Sequence, residues 1–336
     1  MKRFQKALIW LVSGSLLFVA LGFSVSRFGY PISIKHVGSW SIGVEEGVTP
    51  FDLETPENIK NPVLTAGDVN DVNASFVADP FMLIVNSTYY MFFEVFNEDS
   101  RQGDIGLAIS NDGKKWIYQN IVLDEPFHLS YPYVFIYEGN YYMIPESHKD
   151  SSIRLYVARK FPEKWEYIGN LLSGSDFIDP SILQLNGKWW IFVSSRTNDI
   201  LRLYYSDRLT GPWIEHSKSP IIQKDVTKAR PGGRIIKVDN KLYRISQNDY
   251  PRYGTNVNAF EIIDLTTNSY QEIPHDGNPI LERGAENWNN LGMHHMDAHK
   301  TGENRWFACV DGFGKRWVMR VGSKYFDITE ILTWKK

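Results

Sequence analysis

Residues 78–94 read Ala78-Asp79-Pro80-Phe81-Met82-Leu83-Ile84-Val85-Asn86-Ser87-Thr88-Tyr89-Tyr90-Met91-Phe92-Phe93-Glu94. An apolar run, a polar turn and a second apolar run opening on an aromatic pair form a strand, a tight turn and a strand. A carboxylate stands at each end of the unit, fifteen positions apart. The same fifteen-residue frame recurs from Tyr131 to Glu146, Asp179 to Ser194, Gly232 to Gln247 and Asp297's neighbour Met296 to Asp311. Successive copies start 52, 48, 53 and 64 residues apart. Aromatic or apolar pairs stand at matching places: Tyr141-Tyr142, Trp189-Trp190, Leu242-Tyr243 and Trp306-Phe307. Such a period, with several short strands per repeat, predicts radially repeated sheets. The expected fold is all-β, a five-bladed β-propeller with blades starting near 79, 131, 179, 232 and 296.

Each copy continues into a third apolar strand and an outer aromatic, Trp116, Trp165, Trp213 and Tyr270 in the first four. Ser39 to Val44 lies before the first copy, and pairing it with the last blade would remove an open sheet edge. The chain of 336 residues, 43% hydrophobic and 14% aromatic, supplies a core for one such domain over residues 29–336. A net charge of -3 gives no electrostatic reason to expect nucleic acid as a partner. The lone cysteine, Cys309, excludes an internal disulfide and sits in an apolar run, as a small core residue does.

Residues 1–28 have a different character. Lys2, Arg3 and Lys6 precede nineteen uncharged residues, Ala7 to Val25, long enough to cross a bilayer as a helix. A signal anchor with its N-terminus in the cytoplasm is expected, and a cleaved signal peptide is the rival. Either would carry the propeller to the extracytoplasmic side, as a membrane-anchored or a secreted protein.

In a propeller, equivalent repeat positions converge on the central channel. That rule gathers Asp79, Tyr131, Asp179 and Gly232 at one level and Glu94, Glu146, Ser194, Gln247 and Asp311 at another. Converging carboxylates repel one another and lose hydration, a cost that functional sites accept. The bland alternative is that these acids cap turns. Arg230 and Arg234, flanking Pro231-Gly232-Gly233, offer planar donors to a sugar or carboxylate, or else a structural ion pair. His294, His295, Asp297 and His299 match no zinc spacing, and a strand would send alternate members to opposite faces. No cofactor is therefore expected, apart from a structural Ca²⁺ in the channel near a single histidine.

The openings Ala78-Asp79-Pro80 and Ile178-Asp179-Pro180-Ser181, with Leu209-Thr210-Gly211-Pro212-Trp213, resemble glycoside hydrolase family 43. That resemblance implies a general base at Asp79 and a pKa-tuning, orienting role for Asp179. The family's acid is a Glu opening the fourth blade, where this sequence reads Ala229-Arg230-Pro231-Gly232-Gly233. A closer likeness runs from about Trp40 through Asp311. Asn61 to Ala66, Asp71 to Ala74, Phe76 to Phe81 and His128 to Phe135 resemble the N-terminal propeller module of glucosamine inositolphosphorylceramide transferases. Transfer in those proteins belongs to a separate domain, so the likeness implies a sugar-handling propeller and not a transferase.

The expected function is glycoside hydrolase-like action on a glycan or glycolipid. Asp79, Asp179 and Glu146 are the catalytic set, and Glu146 replaces the missing acid with a pKa raised by burial. Glu94, Tyr131, Arg230, Arg234, Gln247, His295, His299 and Asp311 are the expected substrate-binding residues. A glycan-binding propeller without catalysis, assisting envelope polysaccharide or glycolipid synthesis, is the alternative.

Overall fold

The computed structural model describes residues 32–321 and 324–328, and the apolar segment Ala7 to Val25 lies outside them. Among the described residues no helix is long and apolar enough to cross a membrane. These residues fall into two units, 38–315 and the flanking 32–37 with 316–328. In the smaller unit Lys324 to Asp327 pairs antiparallel with Val318 to Val321, and His36 stacks on Trp317 at 4.6 Å.

The larger unit is the expected five-bladed propeller, and within blades 1 to 4 neighbouring strands pair antiparallel. Blade 1 comprises Ala74–Val85, Thr88–Asn97, Gln102–Ser110 and Ile117–Leu123, in that spatial order. Blades 2 and 3 repeat it with Ser130–Tyr137, Asn140–Ser147, Ser152–Lys160 and Lys164–Ser173, then Ile178–Leu185, Lys188–Ser194, Leu201–Ser206 and Ile214–Glu215. Blade 4 uses Ile236–Val238, Lys241–Asn248, Asn256–Leu265 and Tyr270–Pro274. Blade 5 takes Met296–Gly302 and the part of Arg305–Val321 up to 315, then the part of Ile32–Thr49 from 38 on and Asp52–Glu54. Ser39 to Val44 thus lies within the strand that closes the ring.

Local chemistry explains the repeat. The inner hairpins turn at Asn86-Ser87, Glu138-Gly139, Asn186-Gly187 and Asp239-Asn240, and both residues of every pair have positive φ. Two such residues match a two-residue turn to the twist of the strands. The aromatic pair then splits between faces, because successive strand residues point opposite ways. Tyr89 meets Phe307 of blade 5 at 5.5 Å, while Tyr90 meets Phe161 of blade 2 at 4.9 Å. Blade 1 is thereby joined to both neighbours by two adjacent positions.

The fifteen-residue frame has a geometric cause. In blades 1, 2 and 3 the first strand carries a bulge between Ala78 and Phe81, Ser130 and Tyr133, and Ile178 and Ser181. The residue inside each bulge is left-handed: Asp79 at φ 52°, Tyr131 at 45° and Asp179 at 49°. A non-glycine residue held there costs about 1–3 kcal/mol, and a bulge re-aims its side chain. Blade 4 substitutes backbone for side chain. Gly233 has φ 147°, and a Cβ there would lie 1.9 Å from the Met296 carbonyl of blade 5. Only glycine lets the two blades approach so closely.

Candidate functional site

Asp79 and Glu94 from blade 1, with Glu146 from blade 2, line a cavity of about 340 Å³. Trp40, Phe76 and Tyr253 supply its aromatic wall, and His128, His148, Arg196, Arg230 and His294 its basic groups. Asp179 lies behind Arg230. All four acids are buried. Their positions follow from the strand register, which pairs Ala78 with Glu94 and Ser130 with Glu146 at the bulges.

The carboxyls do not share one protonation state. Burial, followed by the charges of Asp79, Glu146 and Asp179, pushes Glu94 well above the ordinary carboxylate range. Burial also raises Asp79, against the charges of His294 and His295. Asp179 is pushed well up by burial even though Arg230 donates to it at 2.7 Å. Only one of its oxygens is served, by Arg230 and by Gln247 at 3.2 Å; Oδ1 is buried without a partner. Glu146 goes the other way. Burial opposes its ionisation, yet the hydrogen bond and charge of His148, with Arg230 and His128, hold its pKa below the usual value.

A second group faces Asp79 from the loop before the first strand of blade 5. His294 Nδ1 meets Asp311 Oδ1 at 2.8 Å, and His295 Nε2 meets the Pro80 carbonyl at 3.0 Å. Asp311 also accepts from the backbone N–H groups of Asp79, His294 and His295. Trp40 stacks on His294 with ring centres 3.9 Å apart. Burial lowers the His295 pKa; at His294 it is outweighed by Asp311 and Asp79, and the pKa rises.

A family model described as glucosamine inositolphosphorylceramide transferase 1, N-terminal, matches residues 33–313. The chain belongs to that family. Glucosamine inositolphosphorylceramide transferase 1 of Oryza sativa subsp. japonica is 38% identical over 298 residues, which cover 82% of this chain and 40% of the relative. The protein of the same name from Arabidopsis thaliana is 34% identical over 82% of this chain and 39% of its own length. The chain spans about two fifths of the length of these relatives. Among solved structures, a thermostable family-43 glycoside hydrolase matches with a TM-score of 0.54 at 16% identity, over 79% of this chain and 96% of that one. An exo-β-1,3-galactanase from Clostridium thermocellum matches with a TM-score of 0.52 at 14% identity, over 62% and 51%. At these identities the likeness speaks to the fold alone.

Within this propeller the residues singled out from the sequence separate into two groups. Asp79, Glu94, Glu146 and Arg230 line the cavity, and Asp179, Gln247 and Asp311 support it from behind. Tyr131 is a strut: its hydroxyl bonds Ser181 at 2.9 Å and the Gly233 backbone, tying blades 2, 3 and 4. Arg234 and His299 both pair with Asp297, at 2.7 and 2.9 Å, and do not line the cavity. His295 lies beneath Asp79. The raised pKa expected for Glu146 is corrected, because His148, two residues on, supplies the opposing charge.

Sequence reasoning did not place Trp40, Phe76, His128, His148 or Tyr253 at the site, and weighed His294 only as part of a metal-like cluster. Neither His148 nor His294 could be placed by strand alternation: His148 follows the strand that ends at Ser147 and opens a short 3-10 turn, and His294 precedes the strand that begins at Met296.

Proposed function

We propose that this propeller binds the sugar portion of a glycan or glycolipid in the cavity and acts on it by glycoside hydrolase-like acid and base chemistry. The supporting observation is that Glu94 and Glu146 both line the cavity and their surroundings push their pKa values in opposite directions. Paired carboxyls whose surroundings push their pKa values apart are what acid–base catalysis requires. Glu94 is the proton donor in this reading, and the ionised Glu146 activates water. Asp79 and Asp179, the base and the tuning residue that the resemblance implies, set the local charge. Trp40, Phe76 and Tyr253 offer stacking faces to sugar rings. Residues 1–28 would hold the propeller at a membrane surface on the extracytoplasmic side; retention in the membrane fraction after a high-salt wash tests that.

Incubating the full chain with a glycan panel, and measuring both binding and release of reducing ends, tests the catalytic reading. Glu94→Gln and Glu146→Gln should each bind as the wild type does and release nothing. A second reading, a glycan-binding module without turnover, is favoured by the stretch Ala229 to Gly233, which carries Arg230 and no carboxylate where the resemblance to family 43 implies an acid. Binding by the wild type with no release, unchanged in both variants, would establish it.

A further inference from the structure

Glu94 and Glu146 each face a histidine, and the two pairs are built differently. His128 belongs to the link between blades 1 and 2, and Gly103 to the third strand of blade 1. Gly103 N–H donates to His128 Nδ1 at 2.8 Å, and Leu129 N–H donates to the Gly103 carbonyl at 2.8 Å. A Cβ on Gly103 would lie 2.3 Å from the Leu129 carbonyl oxygen, 2.8 Å from Glu94 Oε1 and 2.9 Å from His128 Cε1. Glycine alone lets the strand, the link and the acid meet here. A backbone amide can only donate, so His128 Nδ1 carries a lone pair and Nε2 the hydrogen. That Nε2 stands 3.4 Å from Glu94 Oε1. Protonating the ring would set Nδ1–H against the Gly103 N–H, two donors face to face. Burial also lowers the His128 pKa. His148 differs: its Nδ1 itself faces Glu146 Oε1, and among the described residues no backbone amide donates to its ring.

We propose that the Gly103 amide fixes His128 as the neutral Nε2–H tautomer, a positioning donor that holds Glu94 Oε1 and leaves the acidic proton on Oε2. This role rests on the reading of Glu94 as proton donor and specifies how that acid is set. A protonated imidazole in this place would hold Glu94 ionised, as His148 helps to do for Glu146. A neutral donor adds no charge that forces Glu94 to ionise. It still stabilises the carboxylate formed when the proton departs. In that step the Oε2–H bond breaks and the proton passes to the glycosidic oxygen. That oxygen keeps the electron pair of its broken bond to the anomeric carbon, and water attacks the carbon and loses a proton to Glu146. The His128 ring gains and loses nothing, because its second nitrogen is engaged by the backbone.

NMR of the full chain carrying ¹⁵N-labelled histidine reads the tautomer without substrate, and His128→Gln assigns the signals. His128 should show a pyridine-like Nδ1 and a pyrrole-like Nε2, unchanged between about pH 5 and 8. The opposite tautomer, or protonation of the ring in that range, overturns the proposal. The Glu94 side-chain carbonyl carbon gives a second readout. His128→Phe keeps a ring without its donor and should move the Glu94 titration upward by about one pH unit. His128→Gln retains an N–H donor and should restore it. The other groups facing Glu94, namely Asp79, Glu146, Asp179 and Arg230, are the same in all three proteins. An unmoved titration in folded His128→Phe overturns the positioning role. With any glycan that the wild type cleaves, kcat should fall about tenfold in His128→Phe at unchanged KM, and an unchanged kcat also overturns it. Circular dichroism checks the fold; if His128→Phe fails to fold, the wild-type tautomer decides. Absence of cleavage by the wild type defeats the proposed function alone, and the tautomer and the Glu94 titration still decide the role of His128.

Discussion

Asp297 and Asp179 are both buried carboxylates beside an arginine, and their surroundings differ in one respect. Asp297 is fully served: Arg234 donates to Oδ1, and Met82 N–H, His299 and Arg234 donate to Oδ2. Arg234 also reaches the Val134 carbonyl and lies over the Tyr133 ring. These contacts outweigh burial and hold Asp297 strongly ionised. Asp179 has an oxygen without a partner, three other acids nearby, and a raised pKa. A buried charge whose lone pairs are all used is a cross-link between blades. One left partly unserved beside a cavity is available to a ligand.

Removing a partner from the satisfied knot should cost most. Asp297→Ala leaves the half-buried Arg234 guanidinium without its carboxylate, and the expected loss is about 3–5 kcal/mol in urea unfolding. A loss under about 1 kcal/mol would make the knot a bystander and erase the contrast.

An unsatisfied acid away from the cavity sharpens it. Burial, then the charge of Glu54, raises Glu45 to about 7. A carboxyl with a raised folded pKa is most favourable below its unfolded value, near 4.5, and the protein loses stability as pH climbs to about 7. Glu45→Gln should therefore stabilise the protein by roughly 3 kcal/mol at pH 8 and by nothing at pH 4. Thermal unfolding at both pH values checks the sign.

Glu94→Gln should change stability by less than about 1 kcal/mol, since burial and neighbouring acids already push the Glu94 pKa well above the ordinary carboxylate range. Turnover, where present, should fall about 10²–10⁴-fold. A large stability loss would place Glu94 with Asp297 rather than with the site.

The smallest effect concerns His148. Its contact keeps Glu146 ionised, so the stability that Glu146 contributes is present above about 4.5 and lost as pH falls through its lower folded pKa. His148→Ala should move the Glu146 titration upward, read from the side-chain carbonyl carbon by NMR. An unmoved titration would leave the low value to Arg230 and His128.

The sequence by itself determined the blade count, the turns and the closing strand. Those features rest on periodicity and on local backbone preference, and both act between near neighbours in the chain. It also picked out Asp79, Glu94, Glu146 and Arg230, because repeat symmetry carries equal positions to one centre. Family membership was legible too, in runs such as Phe76 to Phe81 and His128 to Phe135. What only the tertiary structure decided was which charges are spent on each other. Arg230 and Arg234 are four residues apart and look alike in the sequence, yet one faces the cavity and the other is locked onto Asp297. His294 and His295 are adjacent, and their roles depend on a loop that positions Asp311, Pro80 and Asp79 around them. Protonation follows burial and the charges of residues distant in sequence, which periodicity does not encode, and only the closed ring sets those distances.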